Sequence, residues 1–167
     1  MERTRSFGWS DPVPVARAAQ GESGIAFLKR IAGRGREQAA PVAECLGFQL
    51  VEAELGTVVF ELTPEEYHYN PIGSVHGGVL ATLCDSATGA AVHSLLPQGT
   101  GYTTLEIKVT FLKAVTAASG PLRCTGTVMQ FGSRVAMSQA HLVDASGTLV
   151  AHATSTCLIL QPRSHTT

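Results

Sequence analysis

Asn70-Pro71-Ile72-Gly73-Ser74-Val75-His76-Gly77-Gly78 runs straight into Val79-Leu80-Ala81-Thr82-Leu83-Cys84-Asp85, a helix-like segment with one acid among small and apolar residues. The free N–H groups at a helix start, with two glycines that let a ligand approach the backbone, suit a developing negative charge such as a carbonyl oxyanion. The acid nine positions after His76 is a candidate base. If 77–94 is one α-helix, nine residues place Asp85 about 13 Å further along the axis than His76 and rotate it by roughly 180°. One chain therefore cannot bring turn and acid together. A site using both needs a second copy of the protein, which two-fold symmetry supplies.

Outward from this stretch, the pattern predicts an α+β domain. Phe48–Glu54 and Thr57–Leu62, with Gly56 between them, read as a strand hairpin. Pro97 and Gly99 stop the long helix. Thr104–Leu112 alternates strictly over its first eight positions, and Leu122–Phe131, Arg134–Asp144 and Leu149–Leu160 follow as further strands, giving an antiparallel meander of four. On the helix, Val79, Leu80, Leu83, Ala87 and Ala90 share the side expected on the sheet. Gly78, Ala81, Thr82, Asp85 and Gly89 form a small-residue side expected to pack at an interface. Residues 1 to about 20, with Pro12 and Pro14, are expected to form an irregular arm. Ser23–Arg34 carries Ile25, Leu28 and Ile31 at helical spacing, a short amphipathic helix ended by Gly33-Arg34-Gly35. The expected organisation is an N-terminal arm and helix over 1–40, one domain over 41–162 and a tail over 163–167.

At 167 residues and 44% hydrophobic, the chain can bury one sizeable core. A net charge of −1 and the absence of a basic stripe argue against a nucleic-acid partner. No apolar run is long enough to span a bilayer, so no membrane partner is expected. Cys45, Cys84, Cys124 and Cys157 lack paired spacing and read as thiols of a reducing, cytoplasmic setting. The histidines share no metal-ligand spacing, so no metal and no cofactor is expected. There is no Gly-x-Ser-x-Gly elbow for a serine hydrolase. An acid on an ordinary helix is most often a solvated surface charge; the small neighbours of Asp85 argue otherwise.

The run from Asn70 to Ser94, followed by Tyr102–Phe111, resembles the hotdog-fold acyl-CoA thioesterases, in particular the phenylacetyl-CoA thioesterase-like branch. The resemblance covers roughly residues 40–160. It implies an antiparallel sheet wrapped around the long central helix, with the N-terminal helix as an addition. It further implies homodimers, often dimers of dimers, and hydrolysis of an acyl-CoA or aryl-CoA without a metal. By the same resemblance, the N–H of Gly77 polarises the thioester carbonyl, Asp85 of the opposite subunit activates water or attacks, Asn70 places the water or the acid, His76 supports the turn, and Thr104 orients the nucleophile. Gly78 and Thr82 beside the turn, with Lys108 and Arg134 as cations for the phosphates of CoA, complete the candidate set. The alternatives are an acyl-CoA-binding module without chemistry and a hotdog dehydratase or hydratase.

Overall fold

The computed structural model describes residues 2–32 and 40–161. The expected helix stop at Gly33-Arg34-Gly35 and the tail at 163–167 lie outside the described residues. The elements are α1 (Pro12–Gln20), α2 (Gly24–Ile31), α3 (Pro41–Leu46), β1 (Phe48–Glu54), β2 (Thr57–Leu62), α4 (Gly77–Ser94), β3 (Gly101–Phe111), β4 (Leu122–Phe131), β5 (Val135–Val143) and β6 (Leu149–Leu160). The six strands form one antiparallel sheet in the order β1-β2-β4-β5-β6-β3, curled around α4, which is the hotdog fold.

Two sequence expectations change. The arm before residue 20 is not irregular throughout: α1 starts where Asp11 accepts the Val13 N–H at 2.9 Å. Pro12 and Pro14 fall in its first turn, where N–H groups have no helical partner and proline is no obstacle. The four-strand meander is also rearranged. β4, β5 and β6 are consecutive neighbours, but β3 crosses to the far side and pairs with β6, leaving β3 as an edge. Alternation within a strand fixes which face is buried and says nothing about which neighbour it pairs with.

The core lies between the inner face of the sheet and α4. Leu80, Leu83, Cys84, Ala87 and Val92 are buried against Leu62, Leu122, Cys124, Ala140, Ala153 and Cys157. At about 1.5–3 kcal/mol for each fully buried large aliphatic side chain, this face holds the helix in place. Contact is closest at Gly126 of β4, where an added Cβ would lie 2.2 Å from the Ala87 carbonyl oxygen. The N-terminal end of α2 docks as tightly on the other end of α4. The Gly24 N–H donates to the Leu96 carbonyl at 3.0 Å, and a Cβ at Gly24 would meet the His93 carbonyl oxygen at 1.8 Å.

Candidate active site

The loop before α4 is held by its own side chains. Asn70 Oδ1 accepts the N–H groups of Ile72 at 3.0 Å and Ser74 at 3.2 Å, while its amide donates to Ser74 Oγ at 3.1 Å. These bonds occupy the Asn70 side chain within the loop, so in one chain it shapes the turn. His68, buried beneath, accepts the Glu65 N–H through Nδ1 at 2.9 Å, and its Nε2 lies 2.7 Å from the Leu46 carbonyl oxygen, an acceptor only. That pattern fixes the neutral tautomer, and burial lowers the His68 pKa below its ordinary value. The Val75 N–H bonds the Val115 carbonyl, and the His76 N–H bonds the His68 carbonyl, both at 2.8 Å.

His76 is the N-cap of α4: its Nδ1 accepts the Gly78 N–H at 2.9 Å. The Gly78 donor is therefore used internally, and Thr82 Oγ1 likewise donates to the Gly78 carbonyl at 2.9 Å. The Gly77 N–H has no protein acceptor among the described residues. It borders a recess of about 330 Å³ whose rim includes Ser74, Phe111 and Lys113. A Cβ at Gly77 would lie 3.2 Å from the Phe111 ring, so a bare backbone at this position lets the ring seat on the helix start. A free donor with partial positive charge from the helix terminus, beside an open recess, is suited to an oxyanion.

Asp85 is half-buried one face further along α4. Its Oδ1 accepts the Thr104 hydroxyl at 3.0 Å. Its other oxygen has no protein partner among the described residues. α4 is continuous from Gly77 to Ser94, so the eight-residue step from Gly77 to Asp85 separates them by about 12 Å along the axis, and one chain leaves donor and acid apart.

Thr104 reaches Asp85 because of a β-bulge. Glu106, Lys108 and Thr110 pair with Thr156, Thr154 and His152 on the outer face of the sheet, and strict alternation would put Thr104 there too. The register shifts between Thr104 and Glu106, Leu105 is the extra residue, and Thr104 pairs instead with the inward-facing Cys157. The expected unbroken alternation of this strand is thus corrected, and the correction is what aims the hydroxyl inward. The same shift turns Tyr102 inward, where its ring covers Gly89; a Cβ there would meet the ring at 2.9 Å. Gly89, assigned from the sequence to an interface side, is covered by β3 of its own chain. Burial and the nearby Cys157 and Asp85 push the Tyr102 phenol well above its ordinary pKa.

The cation candidates lie elsewhere. Lys108 is exposed on the outer face of β3, opposite the face that carries Asp85, and Arg134 is exposed in the β4–β5 turn. Lys113, at the recess beside Gly77, is bound to Asp144 at 2.8 Å. No group of three or more possible metal ligands occurs among the described residues. Sequence reasoning missed Tyr102 and Phe111 as site walls. Their aromatic character was visible, and alternation with Ile107 and Val109 already aimed Phe111 inward, but the bulge that turns Tyr102 inward was not.

Residues 72–151 match the thioesterase superfamily family model. Human acyl-coenzyme A thioesterase 13 is 30% identical over 103 residues, which are 61% of this chain and 72% of that protein. A Streptococcus mutans protein solved bound to acetyl-CoA is 26% identical, with a TM-score of 0.63 over 70% of this chain and 91% of that one. The Escherichia coli PaaI protein from the phenylacetic acid degradation operon, 22% identical, shares the fold with a TM-score of 0.71 over 83% of this chain and 97% of its own.

Proposed function

The chain belongs to the thioesterase superfamily, in its PaaI-like hotdog group, and from that premise we propose that it hydrolyses an acyl-CoA or aryl-CoA thioester to the free acid and CoA at a site shared by two copies of the chain. The observation that carries the reading is the Thr104 hydroxyl donating to Asp85 at 3.0 Å, which holds one carboxylate oxygen and leaves the other for a water.

In this reading the thioester carbonyl oxygen accepts the Gly77 N–H of one subunit. Asp85 of the other takes a proton from water as the water oxygen bonds to the carbonyl carbon. Negative charge collects on the carbonyl oxygen, where the Gly77 donor is worth most. The C–S bond then breaks, and the leaving thiolate recovers the proton from Asp85. Asn70 and His76 act earlier in the chain of cause: they hold the loop and the cap that leave the Gly77 N–H unpaired among the described residues. No cofactor or metal enters.

The separation of donor and acid, and the edge strand β3, support a dimer. This 11-residue edge strand leaves Leu105 and Phe111 exposed, a template for pairing with a second copy. None of the helices among the described residues is long and apolar enough to cross a membrane. The four free cysteines fit a cytoplasmic setting.

Thiol release from a panel of alkyl- and aryl-CoA thioesters tests the proposal. Turnover of at least one member supports it. Saturable binding of every member without thiol release would assign the chain to acyl-CoA binding alone.

A further inference from the structure

A second cavity lies on the Asp85 side of α4, and its far wall comes from the N-terminal helix. It holds about 250 Å³ and is bounded by Ser86, Ala90 and His93 of α4, Tyr102 of β3, Phe48 of β1, and Phe27 and Ile31 of α2. Ser86 follows Asp85 in the chain, and Tyr102 stands two residues before Thr104 and covers Gly89, one turn beyond Asp85. The cavity is thus lined by the residue after Asp85 and by the strand that carries Thr104, though by neither Asp85 nor Thr104 itself, and it runs along α4 toward α2. Its walls are mostly apolar and rich in rings. Phe27 stacks on His93 with centroids 5.5 Å apart and planes at 6°, and His93 meets Tyr102 edge-on at 5.6 Å. Burial also lowers the His93 pKa, so the imidazole stays neutral in this lining.

α2 cannot drift from this position without undoing the Gly24 contact with the end of α4. It also precedes residues 72–151, the stretch matched to the family model, so this wall is supplied by sequence outside that match.

Resting on the thioesterase reading, we propose that this cavity is the acyl chamber and that α2, through Phe27 and Ile31, is its end wall and sets the longest acyl group accepted. A cavity below the ~300–1,000 Å³ typical of drug-sized ligands takes a compact apolar group, a single ring or a chain of up to about eight carbons. A longer chain meets Ile31 and Phe27 before its carbonyl reaches Asp85.

The test is kcat/KM for butyryl-, hexanoyl-, octanoyl-, decanoyl- and lauroyl-CoA in the full-length protein and three variants. The unaltered protein is expected to lose activity beyond octanoyl-CoA. Ile31→Ala removes wall from a half-buried position and is expected to raise the decanoyl-to-hexanoyl ratio by about tenfold or more, with Ile31→Val shifting it less in the same direction. Ala90→Leu fills the chamber from the opposite side and is expected to lower the octanoyl-to-butyryl ratio by a similar factor. An active protein whose variants scale all five substrates in parallel overturns the α2 assignment and leaves the thioesterase reading standing. Failure of the unaltered protein to hydrolyse any thioester, alkyl or aryl, overturns that reading and the chamber with it.

Discussion

Asp85 offers one carboxylate oxygen to Thr104 and keeps the other without a protein partner among the described residues, so asparagine at this position keeps the shape and removes the base. Asp85→Asn is expected to lower kcat by roughly 100-fold or more with an unchanged thermal midpoint, read by thiol release and calorimetry. Turnover near that of the unaltered protein would remove Asp85 from the mechanism. His68 makes a separate residue-scale prediction. Its folded pKa is lowered by burial, so the unfolded chain binds its proton first as pH falls. Stability from the neutral ring is full above the unfolded value of about 6.5 and is lost as pH drops below it toward the folded value. The thermal midpoint should fall on acidification from about pH 7 to pH 5, and His68→Gln should flatten part of that slope; an equal slope in both proteins would assign the loss to other groups. The sequence showed Asp85, His76 and Gly77 as a constellation because their meaning is local, a cap and an acid on one helix. Thr104 was named from a family resemblance. What directs it inward is the extra residue Leu105, and strand alternation, read as unbroken, concealed it.

Elements meet here at points with no spare volume. At Gly126 the sheet comes so close to α4 that a methyl group would lie 2.2 Å from the Ala87 carbonyl oxygen and 3.1 Å from the Ala87 Cβ. Neither backbone can yield without lifting the helix, so Gly126→Ala is expected to cost about 3 kcal/mol or more, toward the upper end for overpacking. That is a fall in thermal midpoint of about 10 °C for a chain of this length. An unshifted midpoint would mean that α4 does not sit on β4 as described. Helices and strands were largely legible in the sequence, since period 3.6 and period 2 are written in the side chains. The crossing of β3 to the edge beside β6 was not, because pairing depends on a surface shared with β6, 40 or more residues further on. The helix α1 was hidden by prolines that normally break helices and here occupy the first turn.

For the molecule as a whole, the central claim is that donor and acid belong to different copies. A continuous α4 keeps Gly77 and Asp85 of one chain about 12 Å apart along its axis, and β3 offers a free edge for a second copy. Complementation tests this without a ligand structure. One partner carries Asp85→Asn. The other carries Gly77→Pro, which deletes the N–H at the first helical position, where proline is tolerated, after a His76 whose ψ of 133° suits a following proline. Each variant alone is expected to be nearly inactive. In a 1:1 mixture, random pairing makes about half the dimers mixed, and each mixed dimer has one site with both parts intact and one with neither. The expected thiol-release activity is therefore about a quarter of the unaltered protein's, in a sample whose mixed dimers are confirmed by differential tags. Mixed dimers with no activity above the separate variants would place donor and acid in the same chain and contradict the account.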